Sequence, residues 1–222
     1  MRRAAAWLVT LSVPVVLTMV VVRLVTLPWY PAWQYGRLGF PADIYGLPAE
    51  DRLRLASATI GFLNVFGSDD ALGRLVLPGG DPAYNDRELS HMDDVKRVYD
   101  GLTAAAAVAL LVGIGSVWYL RRGGDVAVWR ALGSGAGATL ALLVALGVWM
   151  VAGFDRFFTL FHGLFFEEGT WLFYTSDTLI RLFPLPFWRD AGLIVAGIVT
   201  MLALGLLAVS RAMARRAGST TH

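Results

Sequence analysis

Four stretches of the chain are apolar on every face for about twenty residues, the length a helix needs to cross a bilayer core. They run over residues 4–27, 101–120, 131–154 and 191–210. Within each, backbone amides and carbonyls satisfy one another, as lipid demands. Two polar intervals of unequal length, 28–100 and 155–190, separate them on one side.

The longer interval exceeds a plain connection and is expected to carry its own helices. Pro48, Glu50 and Asp51 mark a helix start, with proline in the first turn and acids complementing the dipole. Leu53, Ala56, Ile60 and Leu63 then recur at helical spacing, with Leu55, Phe62 and Phe66 as a second apolar face. Pro78-Gly79-Gly80-Asp81-Pro82 breaks the chain. A further helix, capped by Asn85 or Asp86, is expected to run into the second span. In the shorter interval an aromatic run from Phe157 to Phe166 encloses His162 and stops at Glu167-Glu168-Gly169.

Composition agrees with this layout. Of 222 residues, 56% are hydrophobic and 16% charged, against about 25% charged in soluble domains. The position of the charges sets an orientation. Arg2 and Arg3, Arg121, Arg122 and Arg130, and Arg211, Arg215 and Arg216 flank the spans on one side against Asp125 alone. By the positive-inside rule both termini are cytoplasmic and both long intervals are extracytoplasmic. The expected fold is an all-α membrane protein: a single membrane domain of four transmembrane helices, both termini cytoplasmic, with a helical extracytoplasmic cap formed by the two outer loops. The first span follows two arginines as a signal peptide would, but its apolar stretch is longer and Leu27-Pro28-Trp29-Tyr30 offers no small-residue cleavage site, so it reads as a retained anchor. Trp29, Tyr30, Trp33 and Tyr35, and Trp171, Phe173, Tyr174, Phe187 and Trp188, read as aromatic belts at the outer interface. Gly133, Gly135 and Gly137 lie inside the third span, where they permit close helix approach rather than phosphate binding.

The absence of cysteine excludes disulfides, a thiol nucleophile and Cys-based metal centres. The spans carry few ionisable groups, which argues against a transporter, and the arginines are accounted for by topology rather than nucleic-acid binding. Two histidines remain, His91 and His162, one in each outer interval. Glu88, His91 and Asp94 share a helix face at three-residue spacing. Imidazole titrates near neutral pH and exchanges protons there, and a neighbouring carboxylate would fix its tautomer. Glu88, His91, Asp94 and His162 are also the candidates for a competing zinc or manganese site, though neither a Cys ligand nor His-Glu-x-x-His is present.

His91-Met92-x-Asp94-Val95-Lys96, preceded by Glu88 and followed by Phe161-His162-x-x-Phe165-Phe166, Trp171, Asp177 and Pro184, resembles the bacterial lipoprotein intramolecular transacylase (Lit-type) family. The resemblance covers most of the chain. It departs at Glu167-Glu168-Gly169-Thr170, where the family tends to an Asn-Asp-type turn before the Trp. The resemblance implies an enzyme that moves the sn-2 acyl chain of a diacylglyceryl-cysteine lipoprotein onto its α-amino group, giving the lyso-form. It implies no cofactor and no metal, a place in the bacterial cytoplasmic (inner) membrane, and a diacylglyceryl-modified lipoprotein and membrane lipids as partners; the oligomeric state stays open, with a monomer favoured.

Such chemistry suits these residues, because the substrate supplies both amine and ester and proximity comes with it. His91, oriented by Glu88 or Asp94, is then the base for the amine, and His162 protonates the leaving oxygen; the reverse division stays open. Phe165, Phe166, Trp171 and Asp177 join them as orienting or substrate-binding residues. Loop amides and Arg156 are the candidates for oxyanion stabilisation. The other reading is a non-enzymatic lipid-binding or assembly protein of the membrane.

Overall fold

The structure is a computed structural model that describes residues 1–65 and 70–219, without the side chains of residues 154, 155 and 157. Phe66 and His222 lie outside the described residues. Among those described, the chain forms eight helices: α1 (Arg2–Val25), α2 (Trp29–Gly36), α3 (Ala49–Asn64), α4 (Asp86–Arg121), α5 (Asp125–Ala152), α6 (Phe154–Phe165), α7 (Thr178–Leu182) and α8 (Leu185–Ser219). The helices α1, α4, α5 and α8 are long and apolar enough to cross a membrane. The protein is therefore all-α with four spanning helices. Only 11% of the most apolar window of α8 is buried within the molecule, so its outward face needs lipid rather than water.

The expected spans overlap these four helices, but α1 stops at Val25 and α5 at Ala152, each two residues short of the expected end. Helix α5 begins at Asp125, not at Ala131. Gly124, at φ 107°, turns the chain out of α4's end, and Asp125 then starts the new helix with its acid in the first turn.

The chain divides into two compact units. One comprises Met1–Val22, Leu102–Phe157 and Ile194–His222. Its helices meet through small residues. A Cβ on Gly135 would lie 2.7 Å from Val13 Cβ and 2.9 Å from the Thr10 carbonyl oxygen, so α5 runs directly against α1 there. Pro14 follows four residues after Thr10 and brings no N–H to that carbonyl. Thr10 Oγ1 donates to the Ala131 carbonyl at 3.2 Å on the same seam. A Cβ on Gly133 would lie 3.3 Å from Ser210 Cβ, which marks the approach of α5 to α8.

The other unit comprises Arg23–Gly101 and Phe158–Leu193. Its polar interior was not visible in the sequence. The buried stripe of α3 is Arg52, Leu55, Ala56, Thr59, Ile60 and Phe62, so two polar residues share a face expected to be purely apolar. Arg52 donates to the Arg181 carbonyl at 3.0 and 2.7 Å and to the Pro41 carbonyl at 2.6 Å. Its guanidinium also lies over Tyr35 and Phe40. Arg181 in turn holds Asp43 with two bonds of 3.1 Å. The aromatic-belt reading of residues 29–35 is corrected in part. Trp29 and Trp33 are exposed, but Tyr30 is buried; its hydroxyl donates to the Phe187 carbonyl at 2.7 Å, and that of Tyr35 donates to the Leu182 carbonyl at 2.7 Å. These tyrosines are internal ties. The 78–82 break is a turn with Gly80 at φ 90°, closed by Leu77 N–H on the Asp81 carbonyl at 2.9 Å.

Replacing Gly135 by Leu should destabilise the protein by about 1–3 kcal/mol, the usual cost of overpacking. Gly137→Ala should leave it unchanged, since nothing lies within 4 Å of a Cβ there. Thermal unfolding of the two variants in detergent checks the pair.

Candidate active site

The site grows from the first turn of α4. Asn85 Oδ1 accepts the Arg87 and Glu88 amides, both at 3.1 Å. Glu88 Oε2 accepts the Asn85 amide at 2.9 Å in return. This reciprocal arrangement is a capping box. The second Glu88 oxygen, Oε1, accepts the Leu179 amide of α7 at 2.7 Å. Glu88 is only 1% exposed; burial pushes its pKa up, and the amides that bind it work against that rise.

Asp177 sits at the N-cap position of α7 without capping it. It accepts instead from the Tyr174 amide at 2.8 Å, from Asn85 Nδ2 at 3.2 Å and from Arg87 at 3.3 Å. Both carboxylates are engaged elsewhere, so Glu88 does not orient His91 by a hydrogen bond as its spacing suggested. Both hold the chain that carries the site. Asp94 is paired with Arg97 at 2.9 Å and acts on His91 only through its charge.

His91 follows Glu88 by one helical turn, ahead of the apolar stretch of α4. Its ring packs against Phe166 at 5.1 Å and Phe173 at 5.2 Å. Its Nδ1 is buried and has no hydrogen-bond partner among the described residues. Burial lowers its pKa to about 4; the charge of His162 adds to the drop and Asp94 opposes it.

His162 lies on α6, stacked on Phe158 one turn earlier at 3.9 Å and on Trp171 at 4.9 Å. It also meets Phe166 at 5.8 Å. Both histidines thus lie against one ring. His162 Nδ1 is 2.8 Å from the Phe158 carbonyl. A carbonyl only accepts, so Nδ1 carries the proton and Nε2 keeps its lone pair. Burial lowers this pKa too, against the pull of the Phe158 carbonyl.

Phe165 packs on Phe161 at 5.2 Å and Phe166 at 6.4 Å, one ring removed from the imidazoles. Trp171 forms the wall beside His162, and its indole Nε1 is buried with no partner among the described residues. Arg156 is exposed on the first turn of α6 and belongs to the first unit, not to the unit of the histidines. Phe173 was read from sequence only as an interfacial anchor; nothing in its spacing pointed to His91.

The four residues considered for a metal do not converge: Glu88 is engaged by two amides and Asp94 by Arg97. Among the described residues, no three His, Asp or Glu side chains are placed to hold an ion.

A histidine held neutral by the fold links stability to pH. Above the unfolded value, near 6.5, the stabilisation is complete. As pH falls from 6.5 through about 4, the unfolded chain binds a proton that folded His91 refuses, and stability is lost. Glu88, shifted the other way, contributes the opposite slope, so a difference curve is the test. The melting temperature of His91→Phe should fall less steeply than that of the wild type between pH 6.5 and 4. Parallel curves would show that His91 is not held neutral.

Comparison with known proteins identifies the family and the fold. The family described as lipoprotein intramolecular transacylase Lit matches residues 6–188. An uncharacterised protein of Aquifex aeolicus (strain VF5) is 34% identical over 164 residues, 74% of this chain and 73% of that one. The solved structure of the membrane-integral lipoprotein intramolecular transacylase Lit from Bacillus cereus superposes with a TM-score of 0.77 at 20% identity, covering 97% of both chains. A single-histidine variant of that protein, with arginine in place of the histidine, gives a TM-score of 0.72 at 19% identity over 99% of this chain and 95% of that one. The chain belongs to the lipoprotein intramolecular transacylase family, and so is a multi-pass membrane acyltransferase.

Proposed function

We propose that the protein moves the sn-2 acyl chain of a diacylglyceryl-cysteine lipoprotein to the α-amino group of that cysteine, with His91 and His162 carrying the protons. The observation that supports this is the pair of imidazoles, both held neutral by burial, against the common ring of Phe166. The charge asymmetry of the sequence supports a site on the extracytoplasmic face of the bacterial inner membrane.

The reaction needs no enzyme nucleophile. Amine and ester sit a few bonds apart on one molecule, and that proximity lowers the barrier by several kcal/mol. Protons are the remaining problem. The α-amine has a pKa of about 7.7–8.0 and arrives mostly as ammonium. His162, with Nδ1–H held by the Phe158 carbonyl, presents the Nε2 lone pair and accepts the first proton, which passes to water. The neutral amine then attacks the ester carbonyl carbon. A C–N bond forms and the carbonyl oxygen becomes an oxyanion.

The attacking nitrogen is now strongly acidic. His91 takes its second proton and hands it to the glyceryl oxygen as the C–O bond breaks. A low pKa makes His91 a weak base but its conjugate acid a strong one, which favours delivery to an alkoxide. The products are an amide, a free glyceryl hydroxyl and one proton released to solvent.

Two outcomes check this. With a synthetic diacylglyceryl-cysteine peptide, fragmentation mass spectrometry should locate the acyl chain on nitrogen. His91→Ala and His162→Ala should each cut kcat by about 10²–10⁴-fold; full activity in either removes that residue from the scheme. Because burial lowers the pKa of both imidazoles, the acid limb of kcat/KM should follow the substrate amine, near pH 8. A limb that stays put when the amine pKa is altered in the peptide would overturn that order of events.

A further inference from the structure

We propose that the indole N–H of Trp171 is the oxyanion donor of the reaction, receiving the ester carbonyl oxygen as it becomes negative. This rests on the transacylase reading above and supplies what that scheme lacks: a group that stabilises the charge of the tetrahedral intermediate.

Three observations carry it. First, Trp171 Nε1 is buried and finds no acceptor among the described residues. An indole nitrogen is a donor only, so a substrate carbonyl oxygen reaching it would satisfy it, and an orphaned buried donor in a folded protein calls for an explanation. Second, the ring sits 4.9 Å from that of His162, in the aromatic pocket that also holds His91, whose Nδ1 is the other buried ring nitrogen there without a partner. The pocket thus offers two unmet polar atoms among rings, one of them a pure donor.

Third, Trp171 is placed by a turn that is closed without it. Thr170 N–H bonds to the Glu167 carbonyl at 3.2 Å, Thr170 Oγ1 bonds to the same carbonyl at 2.9 Å, and Gly169 adopts φ 85°. The indole is therefore held from its backbone side before substrate arrives, as preorganised stabilisation of charge requires. A neutral donor suits the site better than a cation. It stabilises charge that develops in the transition state without binding the ground-state ester strongly. Arg156, the side chain that sequence offered for the role, is an exposed cation and lies outside the unit that holds both histidines.

The test compares wild type, Trp171→Phe and protein carrying benzothienylalanine at position 171, which keeps the bicyclic shape and replaces N–H by sulfur. Each is assayed in detergent on the diacylglyceryl-cysteine peptide. Loss of one oxyanion donor should lower kcat by about 10²–10³-fold in the benzothienyl protein, with KM and melting temperature held. Affinity for a phosphonate mimic of the tetrahedral centre should fall by a similar factor, a readout that a purely packing role would not move. Wild-type kcat in the benzothienyl protein overturns the assignment. Full activity in His91→Ala alongside a dead benzothienyl protein overturns the shuttle and leaves the donor standing. A wild-type protein that leaves the acyl chain on oxygen overturns both.

Discussion

The site depends on one buried carboxylate. Glu88 accepts the Asn85 amide at the start of α4 with one oxygen and the Leu179 amide in the first turn of α7 with the other. Helix starts leave amides without partners, and a buried orphan is costly. Here a single side chain answers for two helices. Asp177, the natural cap of α7, is thereby free to gather Tyr174, Asn85 and Arg87. The consequence is geometric. The chain between α6 and α7, which carries Phe166, Trp171 and Phe173, is fastened to the turn of α4 that precedes His91. An imidazole one turn beyond Glu88 then has no choice of neighbour.

The same burial that makes this fastening strong sets the chemistry. Rings packed around His91 and His162 disfavour imidazolium by desolvation, and the charge of His162 further disfavours that of His91. A histidine at its ordinary pKa would be partly protonated near neutrality. These stay available as neutral groups. In the proposed reaction their weakness as bases matters little, because the amine becomes a far stronger acid once it has attacked. On that scheme the aromatic lining serves proton transfer as much as it could serve an acyl chain.

Much of the architecture was legible because lipid imposes a simple rule. Long uniformly apolar stretches name the four spans, and the seam at Gly135 follows from small residues inside one of them. Helix α3 and the run of α4 into its span were legible from Pro48 and Asn85. Short elements were not. Helices α2 and α7 have 8 and 5 residues, too few for periodicity to speak, and they are held by distant partners such as Phe187 and Glu88. The apolar periodicity of α3 gave Arg52 and Thr59 no place, because the Arg181 and Pro41 carbonyls that justify Arg52 lie elsewhere in the chain. The Glu88 case differs: the three-residue spacing to His91 was real, but Asn85-x-x-Glu88 is an equally good capping box, and the unpartnered amides of a helix start claimed the carboxylate first. The rings near His162 were legible as an aromatic run, yet which of them would touch which imidazole depended on the turn that follows it.

That turn also bears on the departure from the family pattern at residues 167–170. The glutamates that distinguish this chain, Glu167 and Glu168, are both exposed. The turn is closed by its own backbone, by Thr170 Oγ1 and by the positive φ of Gly169, and no glutamate carboxylate takes part in that closure. An Asn or Asp pair would meet the same backbone demands by other means, since both tolerate tight turns. What differs is two negative charges on the surface beside the residue that leads into Trp171. The aromatic pocket and its two histidines do not rely on those charges. Any difference in substrate that follows from the departure therefore belongs to the approach of the ligand, where exposed charge acts at range, and not to the reacting centre.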